Sequence, residues 1–174
     1  VTIAKKTDVK VKIDNLSAFK DLANSLIDKY AVPTKATETF KSEPEKAEKF
    51  LVPTALEADG AKEAKVEATE NGYKVTITLV SETVDYKTAP KYNTQASLPL
   101  TGIAELATQN NVTVKSSSFN YSGTVLTAEI DKDGNILSLN HTMPLKLSAK
   151  VRYGLMNIEG SGSGKYTLDA TFTY

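Results

Sequence analysis

Thr124-Val125-Leu126-Thr127-Ala128-Glu129-Ile130, then Asp131-Lys132-Asp133-Gly134-Asn135, then Ile136-Leu137-Ser138-Leu139-Asn140-His141-Thr142-Met143: this run decides the fold. In its first part Leu126, Ala128 and Ile130 share one parity, and Val125, Thr127 and Glu129 the other. Side chains alternate with period two along a strand, so this is a strand with one apolar face. The Asp/Asn/Gly segment that follows reads as a hairpin turn, because Gly134 tolerates positive φ and the Asx side chains bond nearby backbone. The return strand places Leu137, Leu139, His141 and Met143 together.

Working outward, the same alternation covers the last third of the chain. Leu145, Leu147, Ala149, Val151 and Tyr153 alternate with Lys146, Ser148, Lys150 and Arg152. Tyr166, Leu168, Ala170, Phe172 and Tyr174 alternate with Lys165, Thr167, Asp169, Thr171 and Thr173. Pro144 is expected to interrupt, since it offers no ladder donor. The run Gly160-Ser161-Gly162-Ser163-Gly164 is expected to be a flexible turn, with a short strand before it from Leu155 to Glu159. One-sided alternation of this kind belongs to antiparallel sheets with one covered and one wet face.

Upstream, Tyr73, Val75, Ile77 and Leu79 share a face, and Asn71-Gly72 marks a hairpin joining them to Glu63–Thr69. The apolar parity slips twice, between Leu79 and Val84 and between Val114 and Phe119, which points to bulges or bends. Asp85 to Ser97 is polar, holds Pro90 and reads as a loop; Thr101 to Gln109 reads as a short helix. Near the N-terminus, Val9, Val11 and Ile13 form a short strand. Phe19, Leu22, Ala23, Leu26, Ile27 and Tyr30 then recur at helical spacing, predicting a helix over 16–30. Ser42-Glu43-Pro44-Glu45 has the cap, proline and glutamate of a second helix start. The Lys/Glu/Ala-rich stretch from Thr34 to Lys65 has the weakest pattern.

The expected fold is therefore α+β and a single domain, 1–174, with a charged helical part to about residue 60 and a β part from about 61. A single curved antiparallel sheet, half-barrel-like and of roughly eight to ten strands, carries one or two N-terminal helices on its apolar face. A sandwich is the alternative. The arrangement is generically like exported carrier or lipoprotein half-barrels.

Composition narrows the function. Lys plus Arg and Asp plus Glu balance at 21 each, so no global field attracts nucleic acid or an anionic membrane. There is no cysteine, which excludes disulfides, thiolate zinc sites and a cysteine nucleophile. No apolar run approaches the ~20 residues that cross a bilayer as a helix. Abundant Thr, Ser, Asn, Lys and Tyr on β-rich structure, and a start at Val1, suit a processed, extracytoplasmic bacterial protein, secreted or anchored to the envelope.

Candidate chemistry is sparse. His141 is the lone histidine and falls on the apolar parity, where a hydrogen-bonded core or rim histidine is the expectation. A Ser-His-Asp triad has to pass through it, and no G-x-S-x-G elbow accompanies it. Asp131–Asn135 lacks the glycine and glutamate positions of an EF-hand loop. Gly160–Lys165 lacks the first glycine and the Ser/Thr of a phosphate loop. Glu129 and Asp131 share a solvent-facing parity and read as surface charge. Neither a cofactor nor a metal is implied. Small residues punctuate three apolar faces at Ala128, Ala149 and Ala170; aligned, they make a trough that a helix fills or a ligand occupies. Tyr153 and Tyr166 add amphipathic surface. The reading is a non-catalytic protein that binds a small apolar ligand or a protein partner through Ala128, His141, Ala149, Tyr153, Tyr166 and Ala170. A cell-surface structural or adhesion module is the alternative, and a hydrolase-type enzyme ranks last.

Overall fold

The computed structural model describes residues 2–13, 35–41, 55–96, 108 and 111–174. Among them are nine strands: β1 (Thr2–Ile13), β2 (Lys35–Lys41), β3 (Ala61–Thr69), β4 (Gly72–Leu79), β5 (Glu82–Val84), β6 (Val112–Tyr121), β7 (Val125–Asp131), β8 (Ile136–Tyr153) and β9 (Met156–Thr173). One short helix, α1 (Lys91–Ala96), and a 3-10 turn at Ala58–Gly60 accompany them. Every described pairing is antiparallel, in the order β2-β1-β9-β8-β7-β4-β3, and the sheet is open, ending at β2 and β3. The two helices expected over 16–30 and from Ser42 lie outside the described residues, as does the helix expected at Thr101–Gln109 apart from Thr108.

β8 and β9 are the spine. Each spans 18 residues, and they pair from Ser138↔Thr171 to Tyr153↔Met156. Gly154 and Leu155 alone connect them, and Gly154 has φ +59. A positive φ at the first central position of a two-residue loop suits glycine, so the reversal falls one residue before Leu155. β9 then takes β1 on its far side, from Thr2↔Thr173 to Ile13↔Gly162.

On its other edge β8 changes partner. β7 pairs with it from Val125↔Thr142 to Ile130↔Ile136, and β6 from Val112↔Tyr153 to Tyr121↔Leu145. Both run in the same direction, so β6 and β7 occupy one position in the sheet, broken at Ser122-Gly123-Thr124. β4 and β5 likewise share the next position, pairing with β7 and β6 in turn. Pro144 does not interrupt β8, contrary to expectation. It lies where neither β6 nor β7 has a register partner, so its missing N–H removes no ladder bond on that edge.

Four further expectations change. The run Gly160–Gly164 is strand, not turn: every residue pairs with β8, Gly160 with Ala149 and Gly164 with Leu145. Glycine propensity is overridden because the segment is hydrogen-bonded into a long ladder and, from Gly162 on, between two neighbours. The N-terminal strand extends back to Thr2 through its pairing with β9, and β2 and the start of β3 fall within the weakly patterned 34–65. The hairpin before β4 turns on Glu70-Asn71, with Gly72 already paired to Thr69. The 85–97 loop contains α1. The slip after Val114 is a bulge, with register shifting between Val114 and Ser116 opposite β8.

The Asp131–Asn135 turn forms as read. Asp131 Oδ1 accepts the N–H groups of Asp133 and Asn135, at 2.9 and 2.8 Å, and Gly134 takes φ +89. The Asn135 amide and these backbone donors hold the Asp131 carboxyl below its usual range.

The apolar face carries two clusters. Phe119, Tyr121 and Met143 are buried together, with Val84, Tyr86, Leu145, Leu147 and Tyr166 against them. Ala170 and Phe172 form the other, with Leu139 packed on them. Full burial of one Phe or Leu contributes ~1.5–3 kcal/mol, so these groups set which face is covered.

Candidate functional site

The centre of the apolar face is His141. It stands on β8 with Leu126 of β7 on one side and Leu168 of β9 on the other. The parity of β8 dictates that it points with Leu139 and Met143, and it is 1% exposed. Its neighbour Tyr166 presents a ring edge-on, centroids 5.6 Å apart and planes at 63°. One step along, Leu139 pairs with Ala128 on β7 and Ala170 on β9, so a leucine lies between two alanines.

Among the described residues neither His141 Nδ1 nor Nε2 has a hydrogen-bond partner. A hydrogen-bonded core histidine was the expectation; the structure supplies the burial without the bonds. Leaving a buried polar group unpaired costs ~1–3 kcal/mol. Burial alone pushes the imidazole pKa down from 6.5 to about 4, so the ring is neutral at pH 7. It then offers one donor and one acceptor to the apolar face.

The six residues singled out in the sequence separate into two groups. Ala128, His141, Tyr166 and Ala170 converge on three adjacent strands within neighbouring rows. Ala149 and Tyr153 lie eight and twelve residues along β8 from His141, ~26 and ~40 Å at strand rise. Ala149 pairs with Ser117 and Gly160, so the three alanines do not fall in one row. Shared parity put them on one face, and the register spread them along it. A separate groove of about 180 Å3 surrounds Ala149, lined by Ser116, Ser117, Ser118 and Ser148 and by the Lys150–Glu159 pair at 3.1 Å. Both members of that pair are exposed, so it adds little stability. Tyr153 is at the tip of the β8–β9 hairpin beside Met156 and Leu155, the last 91% exposed.

Sequence reasoning missed a polar knot at the break between β6 and β7. Thr124 and Asn93 are 1% and 2% exposed. Thr124 Oγ1 donates to Asn93 Oδ1 at 2.7 Å, and Asn93 donates its N–H and its amide to Glu82 Oε2 at 2.8 and 2.7 Å. Glu82 Oε1 accepts the Tyr92 N–H at 3.0 Å, so one carboxylate closes the first turn of α1 from a distant strand. Tyr121, opposite Glu82 in register, has its phenol pKa pushed up to about 12, chiefly by burial and then by that carboxylate. No local signal marks Glu82 as a cap, since the partners are ten and eleven residues away. Glu82→Ala should lower the unfolding free energy by ~2 kcal/mol, because it strips a charged acceptor from three donors. Urea titration checks this. A loss under ~0.5 kcal/mol, the scale of an ordinary surface change, would mean that water replaces the carboxylate at no cost.

Among the described residues no group of His, Cys, Asp and Glu has a metal-holding arrangement, and no helix is long and apolar enough to cross a membrane. No family model matches the chain, and no curated protein or solved structure is significantly similar to it.

Proposed function

We propose that this chain is a non-catalytic, extracytoplasmic bacterial binding protein that takes a small, mainly apolar ligand with one polar group. The ligand lies on the apolar sheet face at Ala128, His141, Tyr166 and Ala170. The sheet curves as a half-barrel around that face. The observation carrying this is His141, buried at 1% exposure with neither ring nitrogen bonded among the described residues. Buried polar groups are ordinarily paired. A ligand hydroxyl or carboxyl supplies the missing partner, and its chain lies over Leu126, Leu139 and Leu168. The same histidine weakens an enzymatic reading: with a pKa of about 4 it is a poor base at neutral pH, and no carboxylate orients it among the described residues.

Ala128→Leu tests this with a fluorescent single-chain fatty acid as probe. Ala128 is half-buried, so the longer side chain projects over the proposed site. The account expects at least a tenfold loss of affinity, the scale of ~1.4 kcal/mol, with the urea midpoint nearly unchanged. Ala149→Leu, far along β8, should bind as the parent does. Equal binding by all three proteins would move the function to the surface, where Tyr153, Leu155 and Met156 are exposed together at the hairpin tip.

A further inference from the structure

The sheet has an unpaired described edge at β3, which bonds only to β4. From Lys62 to Thr69 every residue is exposed, and Val66 is 65% exposed. An edge strand leaves alternate N–H and C=O groups free to pair with another strand. Two features bound the regular part: the register shifts between Ala61 and Glu63, and the turn begins at Glu70. What remains is Glu63-Ala64-Lys65-Val66-Glu67-Ala68-Thr69, whose middle residue is Val66.

That sequence is complementary to itself. In an antiparallel pairing of two copies centred on Val66, Val66 meets Val66, Lys65 meets Glu67 on both sides, Ala64 meets Ala68 and Glu63 meets Thr69. Opposite charges directly across an antiparallel pair stabilise it, and like charges destabilise it. The neighbouring registers fail on this ground. Centring on Lys65 sets lysine on lysine and Glu63 on Glu67; centring on Glu67 sets glutamate on glutamate. Centring on Ala64 keeps Glu63 opposite Lys65 but meets the irregularity at Lys62 after one pair. A uniformly lysine-bearing edge would repel every copy; this one repels the registers centred on Lys65 and Glu67 and sets two opposite-charge pairs in the one centred on Val66.

The faces agree as well. A two-fold axis perpendicular to the sheet through Val66 keeps each residue on its own side. Val66 pairs with Val75 in the row that continues to Ala128 and Leu139, so the apolar faces join. On the other side Lys65 Nζ already lies 2.8 Å from Glu67 Oε1, and each shifts the other's pKa toward the charged form. A second copy brings the same pair alongside, so that the four charges alternate around the axis.

We propose that β3 is the contact of a two-fold homodimer in which the two sheets join edge to edge, centred on Val66. The test is sedimentation equilibrium of the intact chain across micromolar to millimolar concentration, with two variants. Lys65→Glu sets glutamates opposite one another twice and should weaken dimerisation at least about tenfold. Lys65→Glu combined with Glu67→Lys restores an opposite-charge pair at both places and should recover the parental constant within a few-fold. Both positions are exposed, so circular dichroism should be unchanged. A monomer at every concentration overturns the proposal. So does a dimer indifferent to Lys65→Glu, which uses another surface, and so does failure of the double variant to recover.

Discussion

Gly72→Ala should destabilise this protein by at least ~3 kcal/mol, at the top of the range for overpacking. Gly72 opens β4 and sits between two pairings, with Thr69 across the hairpin and Asp131 across the sheet. A Cβ there would overlap the Ile130 carbonyl oxygen and stand 2.8 Å from Asp131 backbone atoms. Backbone cannot rotate aside as a side chain can, so the β4–β7 ladder has to separate at its start. Gly134 supplies the control. It has φ +89, yet nothing lies within 4 Å of its added Cβ. Gly134→Ala therefore pays only left-handed strain, ~1 kcal/mol. Urea unfolding of the two variants should separate them by ~2 kcal/mol or more; equal losses would mean that the close approach at Ile130 is absent in solution.

Acid should weaken the fold through His141, and His141→Leu should abolish that part of the response. The folded imidazole has a pKa of about 4 against 6.5 unperturbed. Between those values the unfolded chain binds a proton that the folded chain refuses. Stability is therefore full above pH 6.5, declines as pH falls through it, and levels off below about 4. At 1.36 kcal/mol per pKa unit the span is ~3 kcal/mol. Carboxylates such as Asp131 and Asp85, both held below their usual range, lose their own contributions on further acidification. Comparison with His141→Leu cancels them. Leucine also removes two unpaired nitrogens, so the variant should be at least as stable as the parent at pH 7. Parallel stability curves for the two proteins from pH 7.5 to 4 would mean that the imidazole is paired or solvated.

The two predictions rest on different kinds of information, and the sequence carried them unequally. Parity along β7 and β8 put His141 on the apolar face, and the Asx/Gly segment placed their turn at Asp131–Asn135. The slip between Val114 and Phe119 located a real bulge. These are local patterns. What stayed hidden depends on register. Nothing within Gly160–Gly164 says strand; Ala149 to Leu145 across the ladder make it one. Pro144 reads as a break until β6 and β7 are seen to hand over beside it. Alanines 128, 149 and 170 share a face in the sequence, but pairing brings only the first and last to Leu139. Glu82 gives no sign of capping α1, because that contact joins a strand to a helix that itself reads as loop. The unbonded state of His141 is a property of three strands together and of no single one.

The most direct test of the binding account is native mass spectrometry of the protein purified from its source cells, compared with its denatured mass and with Ala128→Leu prepared alongside. The account predicts a discrete extra mass on the folded parent, lost on denaturation and missing from Ala128→Leu. A bare parent mass, or the same extra mass on both proteins, would contradict a ligand seated at His141.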